Sequence, residues 1–185
     1  MENKNIRVCI ITFSSRKDGN CEAIGNYIRE IYCGAADLLS FTEFSINSCG
    51  KCNYECFTKN LSCPYMDDME CTLIDNIISH DLTYFIVPNY NDYPCANFFA
   101  FSERQQWYFR INPEELSAYD KARKRFIVVS NTEKNNFRKV FSYHVEETPK
   151  ILYLSASHYG KNSLAGDILF SDEARQDVKE FILDE

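Results

Sequence analysis

The sequence predicts an α/β fold, a three-layer sandwich on a five-stranded parallel sheet in the order 2-1-3-4-5. Three observations carry this. Short apolar runs rich in β-branched and aromatic residues recur along the chain, as strands buried on both faces require. Stretches with apolar residues at three- and four-residue spacing lie between them, the period of a helix with one face on a core. The length of 185 residues, with 45% hydrophobic and 25% charged, suits one domain with a sizeable core, here the whole of 1–185.

The first strand is expected over 6–13, followed by a helix whose stripe is Cys21, Ile24, Ile28 and Ile31. A weaker strand fits 38–44, where Leu38, Ser40, Thr42 and Phe44 alternate with their neighbours, as an edge position allows. The second helix carries Leu73, Ile74, Ile77 and Ile78; Asp67 and Glu70 fit a capping box ahead of it, and Asp68 complements the dipole. Further strands are expected over 84–88, 126–129 and 151–154, and further helices over 96–109, 134–144 and 172–183. Strict alternation of strand and helix demands right-handed crossovers and helices on both faces. The economical solution is a flavodoxin-like sheet, whose ligand site lies beyond the carboxyl ends of its first, third and fourth strands.

Composition excludes several classes. Six Gly and five Pro, with no repeat or low-complexity tract, leave no room for collagen-like, solenoid or disordered readings. The apolar run from Val8 to Phe13 is far too short for a signal core or a membrane span, so a soluble, cytoplasmic protein is expected. A net charge of −7 argues against a broad phosphate-binding surface and hence against nucleic acid as a partner.

The loop after the first strand reads Thr12-Phe13-Ser14-Ser15-Arg16-Lys17-Asp18-Gly19-Asn20-Cys21. Two hydroxyls and two cations meet a helix N-terminus there, a combination suited to a terminal phosphate. Neither a dinucleotide-binding nor a Walker glycine pattern is present, so a mononucleotide is the better guess; an ordinary Ser-capped turn is the plain alternative. The third strand runs into Pro88-Asn89-Tyr90-Asn91-Asp92, and the fourth into Ser130-Asn131-Thr132, a polar loop able to meet a heterocycle's hydrogen-bonding edge. No histidine spacing suits a metal, and no nucleophile elbow appears, so no side chain is assigned as catalytic.

These loops resemble those of the NADPH-dependent FMN reductase and iron-sulfur flavoprotein branch of the flavodoxin-like superfamily. Its first loop commonly reads G-S-P-R-K-x-G-N-T. Ser14, Arg16, Lys17, Gly19 and Asn20 match that pattern, whereas Phe13, Ser15 and Cys21 replace its Gly, Pro and Thr. The segment from Pro88 resembles the family's P-x-Y loop beside the isoalloxazine ring, and Glu103-Arg104 its acidic-Arg pair. The resemblance implies FMN held by Ser14, Arg16, Lys17, Gly19, Asn20, Cys21, Pro88, Asn89, Tyr90, Asn91, Asp92, Ser130, Asn131 and Thr132. Ten of the 27 aromatic residues lie between Tyr84 and Phe109, an excess over one helix face that suggests a planar ligand or a homodimer through Phe98, Phe101, Gln105 and Tyr108.

Nine cysteines without an export signal should be reduced thiols or metal ligands rather than a disulfide framework. Cys49, Cys52, Cys56 and Cys63 form a compact C-x2-C-x3-C-x6-C run, an insertion near 47–66. Four sulfurs suit tetrahedral zinc or an iron-sulfur cluster. The family's iron-sulfur flavoproteins carry such a run ahead of D-D-M, here Asp67-Asp68-Met69, although with two residues rather than three before the third Cys. The resemblance thus implies a 4Fe-4S cluster before zinc, with free thiols as the remaining option.

The expected function is that of an oxidoreductase passing electrons from NAD(P)H through FMN to a quinone-like, aromatic or protein acceptor. Two rivals stand beside it: an iron-sulfur flavoprotein that transfers electrons without oxidising NAD(P)H, and a non-enzymatic thiol or metal sensor.

Overall fold

The computed structural model describes residues 6–33, 35–50, 52–58, 62–131 and 136–184. Five parallel strands, β1 (Val8–Thr12), β2 (Asp37–Ser40), β3 (Leu82–Tyr90), β5 (Lys124–Ser130) and β6 (Lys150–Ser155), form the path β2-β1-β3-β5-β6. This is the expected order and a flavodoxin-like fold. A two-residue strand, β4 (Tyr93–Pro94), adds an antiparallel pair to the end of β3.

Side-chain alternation builds two cores from one sheet. Val8, Ile10, Tyr84, Ile86, Ile127 and Val129 pack under α1 (Asn20–Ile31) and α7 (Asp172–Leu183). Cys9, Ile11, Phe85, Val87, Phe126 and Val128 face the other way. There α3 (Glu70–Ser79), α4 (Ala96–Ile111), α5 (Pro113–Lys121) and α6 (Phe137–Phe141) cover them. Because β1, β3 and β5 are covered on both sides, their runs are continuously apolar; β2 and β6, at the edges, are only half-buried.

Several expectations need correction. The first strand stops at Thr12 and the second at Ser40, where Ser40 Oγ accepts the Thr42 N–H at 3.2 Å and turns the chain away from the sheet. The capping box at Asp67 does not form: Met69 is the cap residue, and Asp68 Oδ1 accepts the Glu70 N–H at 3.2 Å while Glu70 itself is buried. The helix expected over 134–144 is the short α6 followed by a 3₁₀ turn, Ser142–His144; Lys134 lies outside the described residues. Two helices were not expected, α2 (Glu55–Thr58) and α5, although α5 has a visible start in Pro113, Glu114 and Glu115.

The aromatic face on α4 is core rather than interface. Phe98 and Phe101 are buried with Phe13 and Phe85. Tyr108 donates to Asp75, and Gln105 donates to the Tyr119 hydroxyl at 2.8 Å. These four residues are therefore spent within the fold rather than presented as a homodimer face. No helix among the described residues is long and apolar enough to cross a membrane.

Candidate functional site

The three loops singled out in the sequence meet at the carboxyl ends of β1, β3 and β5, where the strand order reverses between β1 and β3. The first loop enters α1 through Gly19, an extended cap residue with no side-chain cap bond. Gly19 is tightly placed, since a Cβ there would meet the Arg16 carbonyl at 3.3 Å. Ser14 is buried, and its Oγ accepts the Arg16 N–H at 3.2 Å. Lys17 is exposed, 4.0 Å from an equally exposed Glu43, a pairing of little energetic weight.

The second loop is a tight hairpin. Asn91 and Asp92 both have positive φ, 55° and 66°, the signature of a two-residue type I′ turn, and Asn89 and Tyr90 pair with Pro94 and Tyr93 across it. Tyr90 reaches over the first loop, where Ser14 and Arg16 act on its hydroxyl. Burial and the nearby Cys95 and Cys21 push that phenol above its ordinary value. Side chains fasten the loops together. Asn97 Nδ2 donates to Phe13 O and to Ser15 Oγ, both at 2.8 Å, and Asn89 Nδ2 donates to Ser130 Oγ at 2.9 Å.

A fourth segment, residues 156–168 between β6 and α7, was not anticipated. It straps across the first loop. The exposed Arg16 guanidinium donates to the carbonyls of Ser163 and Leu164. Asn20 Nδ2 donates to Ser163 O at 2.9 Å, and Asn20 Oδ1 accepts the Ile168 N–H at 2.9 Å. Asn131 Oδ1 accepts the Ser163 N–H at 2.8 Å. Gly166, at φ +74°, lies so close that a Cβ would stand 2.8 Å from Asp18 O. Gly160 and Gly166 amid polar residues were the only signal in the sequence.

The sequence-expected residues are thus brought together, but with divided roles. Ser14, Ser15 and Lys17 line the first loop. Arg16, Asn20 and Asn131 hold the strap, and Cys21 is buried in the α1 core. Burial, with Cys95 adding to it, pushes the Cys21 thiol far above its ordinary value. Pro88, Asn89 and Tyr90 lie on the end of β3, with Asn91 and Asp92 at the turn; Ser130 ends β5, and Thr132 lies outside the described residues.

The cysteine segment follows β2 on the α4 side of the sheet. Cys56 and Cys63 are buried, Cys49 and Cys52 half-buried. Burial raises the Cys56 thiol above its ordinary value, with Cys63, Cys52 and Cys49 adding to it. Among the described residues, no three His, Cys, Asp or Glu side chains stand in a metal-holding arrangement.

No protein-family model and no curated protein matches the chain in sequence. Solved structures do match in fold. The Trp repressor binding protein from Bacillus subtilis superposes with a TM-score of 0.63 at 12% identity, over 96% of this chain and 98% of that one. The flavoenzyme NAD(P)H:(acceptor) oxidoreductase from Paracoccus denitrificans gives 0.51 at 13%, covering 96% and 95%. An NADH:FMN oxidoreductase in its apo form gives 0.51 at 11%, covering 97% and 90%.

Proposed function

We propose that this chain is an FMN-dependent oxidoreductase that takes electrons from NAD(P)H and passes them to a quinone-like, aromatic or protein acceptor. The observation that carries the reading is the meeting of three polar loops at the β1/β3 switch point, with hydroxyls and a helix N-terminus on one side and a hairpin on the other. The names of two fold neighbours, an NAD(P)H:acceptor oxidoreductase and an NADH:FMN oxidoreductase, agree with it.

The donor set suits a phosphomonoester. Ser14 and Ser15 hydroxyls, the Lys17 ammonium and the N–H groups at the head of α1 would hold the phosphate, while Arg16 contributes long-range attraction from its place on the strap. FMN, when bound, supplies the hydride and electron chemistry. The protein's part is positional. The Asn91-Asp92 turn fixes the hairpin against which a ring would rest, Asn89 and Ser130 fix the edge facing its polar side, and Asn97 keeps the phosphate loop in register with α4.

Equilibrium dialysis with FMN and riboflavin tests this. FMN is expected to be retained and riboflavin to be held at least about ten-fold more weakly, the loss of one charge-assisted contact. NADH or NADPH should then bleach the bound flavin. An FMN affinity equal to that of riboflavin would remove the phosphate site, and failure of both nucleotides to reduce the flavin would favour pure electron transfer.

A second element of the reading, a soft-metal centre, 4Fe-4S before zinc, on Cys49, Cys52, Cys56 and Cys63, rests on the C-x2-C-x3-C-x6-C spacing alone; the described side chains do not stand in a metal-holding arrangement. Cys56 sits on the single-turn helix α2. Iron, sulfide and zinc analysis of anaerobically purified protein tests it. Metal-free protein would leave the four cysteines as thiols.

A further inference from the structure

An open cleft of about 590 Å³ lies beside the hairpin, lined by Tyr93 of β4, by Asn136, Arg138, Lys139 and Val140 along α6, and by Tyr153 of the edge strand β6. Asn136 ties it to the turn, since its N–H and its Nδ2 both donate to Asp92 O, at 2.9 and 3.3 Å. Among the described residues this lining holds two cations and no carboxylate, in a chain of net charge −7. Arg138 and Lys139 are exposed, and neither has an ion pair or a side-chain hydrogen bond among the described residues. The cleft at the amino end of the sheet differs in this respect, because Lys121 and Arg123 stand there with Asp120, Glu146 and Glu147.

The walls add two phenol rings. Tyr93 is 49% exposed and makes no ring contact among the described residues. Tyr153 is half-buried. Burial raises its phenol above the ordinary value, with Arg138 opposing, so at neutral pH the hydroxyl keeps its proton and can donate it.

We propose that this cleft binds a planar aromatic anion, a fused ring carrying a sulfonate or carboxylate, with the ring against the two tyrosines and the acid group on Arg138 and Lys139. The inference goes beyond the flavin reading and does not require it. A guanidinium meets two oxygens of an acid group as a planar fork, and Lys139 adds a point of charge. The phenol rings offer offset stacking. A simple inorganic anion would use the cations and leave the rings idle, and a neutral ring would do the reverse. Only a ligand with both parts uses the whole lining.

The test uses the full chain without FMN and equilibrium dialysis of naphthalene-2-sulfonate against 2-naphthalenemethanol, a ligand with the same ring and no charge. The sulfonate is expected to bind about ten-fold more tightly, the sum of two exposed ionic contacts, and the preference should shrink as salt is raised. Replacing both cations, Arg138→Gln with Lys139→Gln, should erase the preference, and Tyr93→Ser should weaken both ligands. Two controls should leave it unchanged: Lys121→Gln with Arg123→Gln, which removes the same charge at the other end of the sheet, and Lys17→Gln in the first loop. All these positions are exposed, and an unchanged thermal melt shows that each variant is folded. Equal binding of the charged and the neutral ring, or an equal loss in either control, would overturn the proposal.

An electron acceptor and a redox-inert effector share this chemistry, and anthraquinone-2-sulfonate separates them. With FMN-loaded protein and NADH or NADPH, two electrons and two protons pass to the quinone oxygens. A quinone KM raised about ten-fold in the Arg138→Gln, Lys139→Gln variant marks an acceptor site, and an unchanged KM marks an effector site. This arm alone rests on the flavin reading, whose own failure shows as FMN that neither nucleotide reduces.

Discussion

Glu70 is fully buried, and neither of its carboxylate oxygens has a hydrogen-bond partner among the described residues. Burial is the main cause that pushes its carboxyl from 4.5 up to about 9, with Arg104 opposing and Asp68 adding. The native chain thus keeps a proton that the unfolded chain releases, and stability falls as pH rises from 4.5 towards 9. The slope is about 1.4 kcal/mol per pH unit for one proton. Glu70→Gln should flatten this loss, as read from denaturant melts across that window; an unchanged slope would contradict it. His144 works in the opposite direction. Its ring is held by Ser102 Oγ at 3.1 Å and the Tyr119 hydroxyl at 2.8 Å, and burial, with Lys124 beside it, lowers it from 6.5 to about 3. The unfolded chain takes up a proton below 6.5 that the native ring refuses, so stability falls with pH between 6.5 and 3. His144→Gln, which has no titrating group, should flatten the acid limb of the same melts.

At the scale of elements, the strap over residues 156–168 and the first loop behave as one unit. Gly166 is its closest point: the positive φ and the 2.8 Å approach to Asp18 O leave no space for a methyl group. Gly166→Ala should cost about 1–3 kcal/mol and weaken FMN binding together with stability, measured by thermal melting and FMN titration. Gly160, equally left-handed but with open space around its Cβ position, is the control, with strain and no clash. Arg16→Met should release the strap at Ser163 and Leu164 and open 157–167 to proteolysis in FMN-free protein. Protection equal to wild type would show that Asn20 and Asn131 hold the strap alone.

For the molecule as a whole, the proposed seat of FMN across three loops would link stability to ligand concentration. FMN at about one hundred times its dissociation constant should stabilise the native state by about 2.7 kcal/mol, and riboflavin at the same concentration by less. A melting temperature that ignores FMN would remove the cofactor site at this level, independently of any activity assay. The two cores on either face of the sheet keep the strand ends in place during such binding, because β3 and β5 cannot shift without disturbing both.

The alternation of strand and helix, the two-sided sheet and the loops after β1, β3 and β5 follow from local pattern. Short, β-branched or aromatic apolar runs around Ile10 and Phe126 read as central strands, and Ser14 to Cys21 as the link from a strand into a helix. What the residues in those loops do was decided by tertiary contacts. Arg16 and Asn20 read in sequence as phosphate ligands, and only the fold shows that they also bond to carbonyls more than a hundred residues away, in a segment whose Ser163 N–H is accepted by Asn131. Phe98 and Phe101 look like an interface until Phe13 and Phe85 close over them. The cysteine run is visible by spacing, yet the Arg104 guanidinium that joins Asn47 O to Tyr65 O on either side of it comes from α4, 39 positions beyond Tyr65. Period and turn chemistry act between neighbours in the chain and so are written in the sequence. The partner of a buried donor is whichever acceptor the fold brings within about 3 Å, and that is known only once the chain is folded.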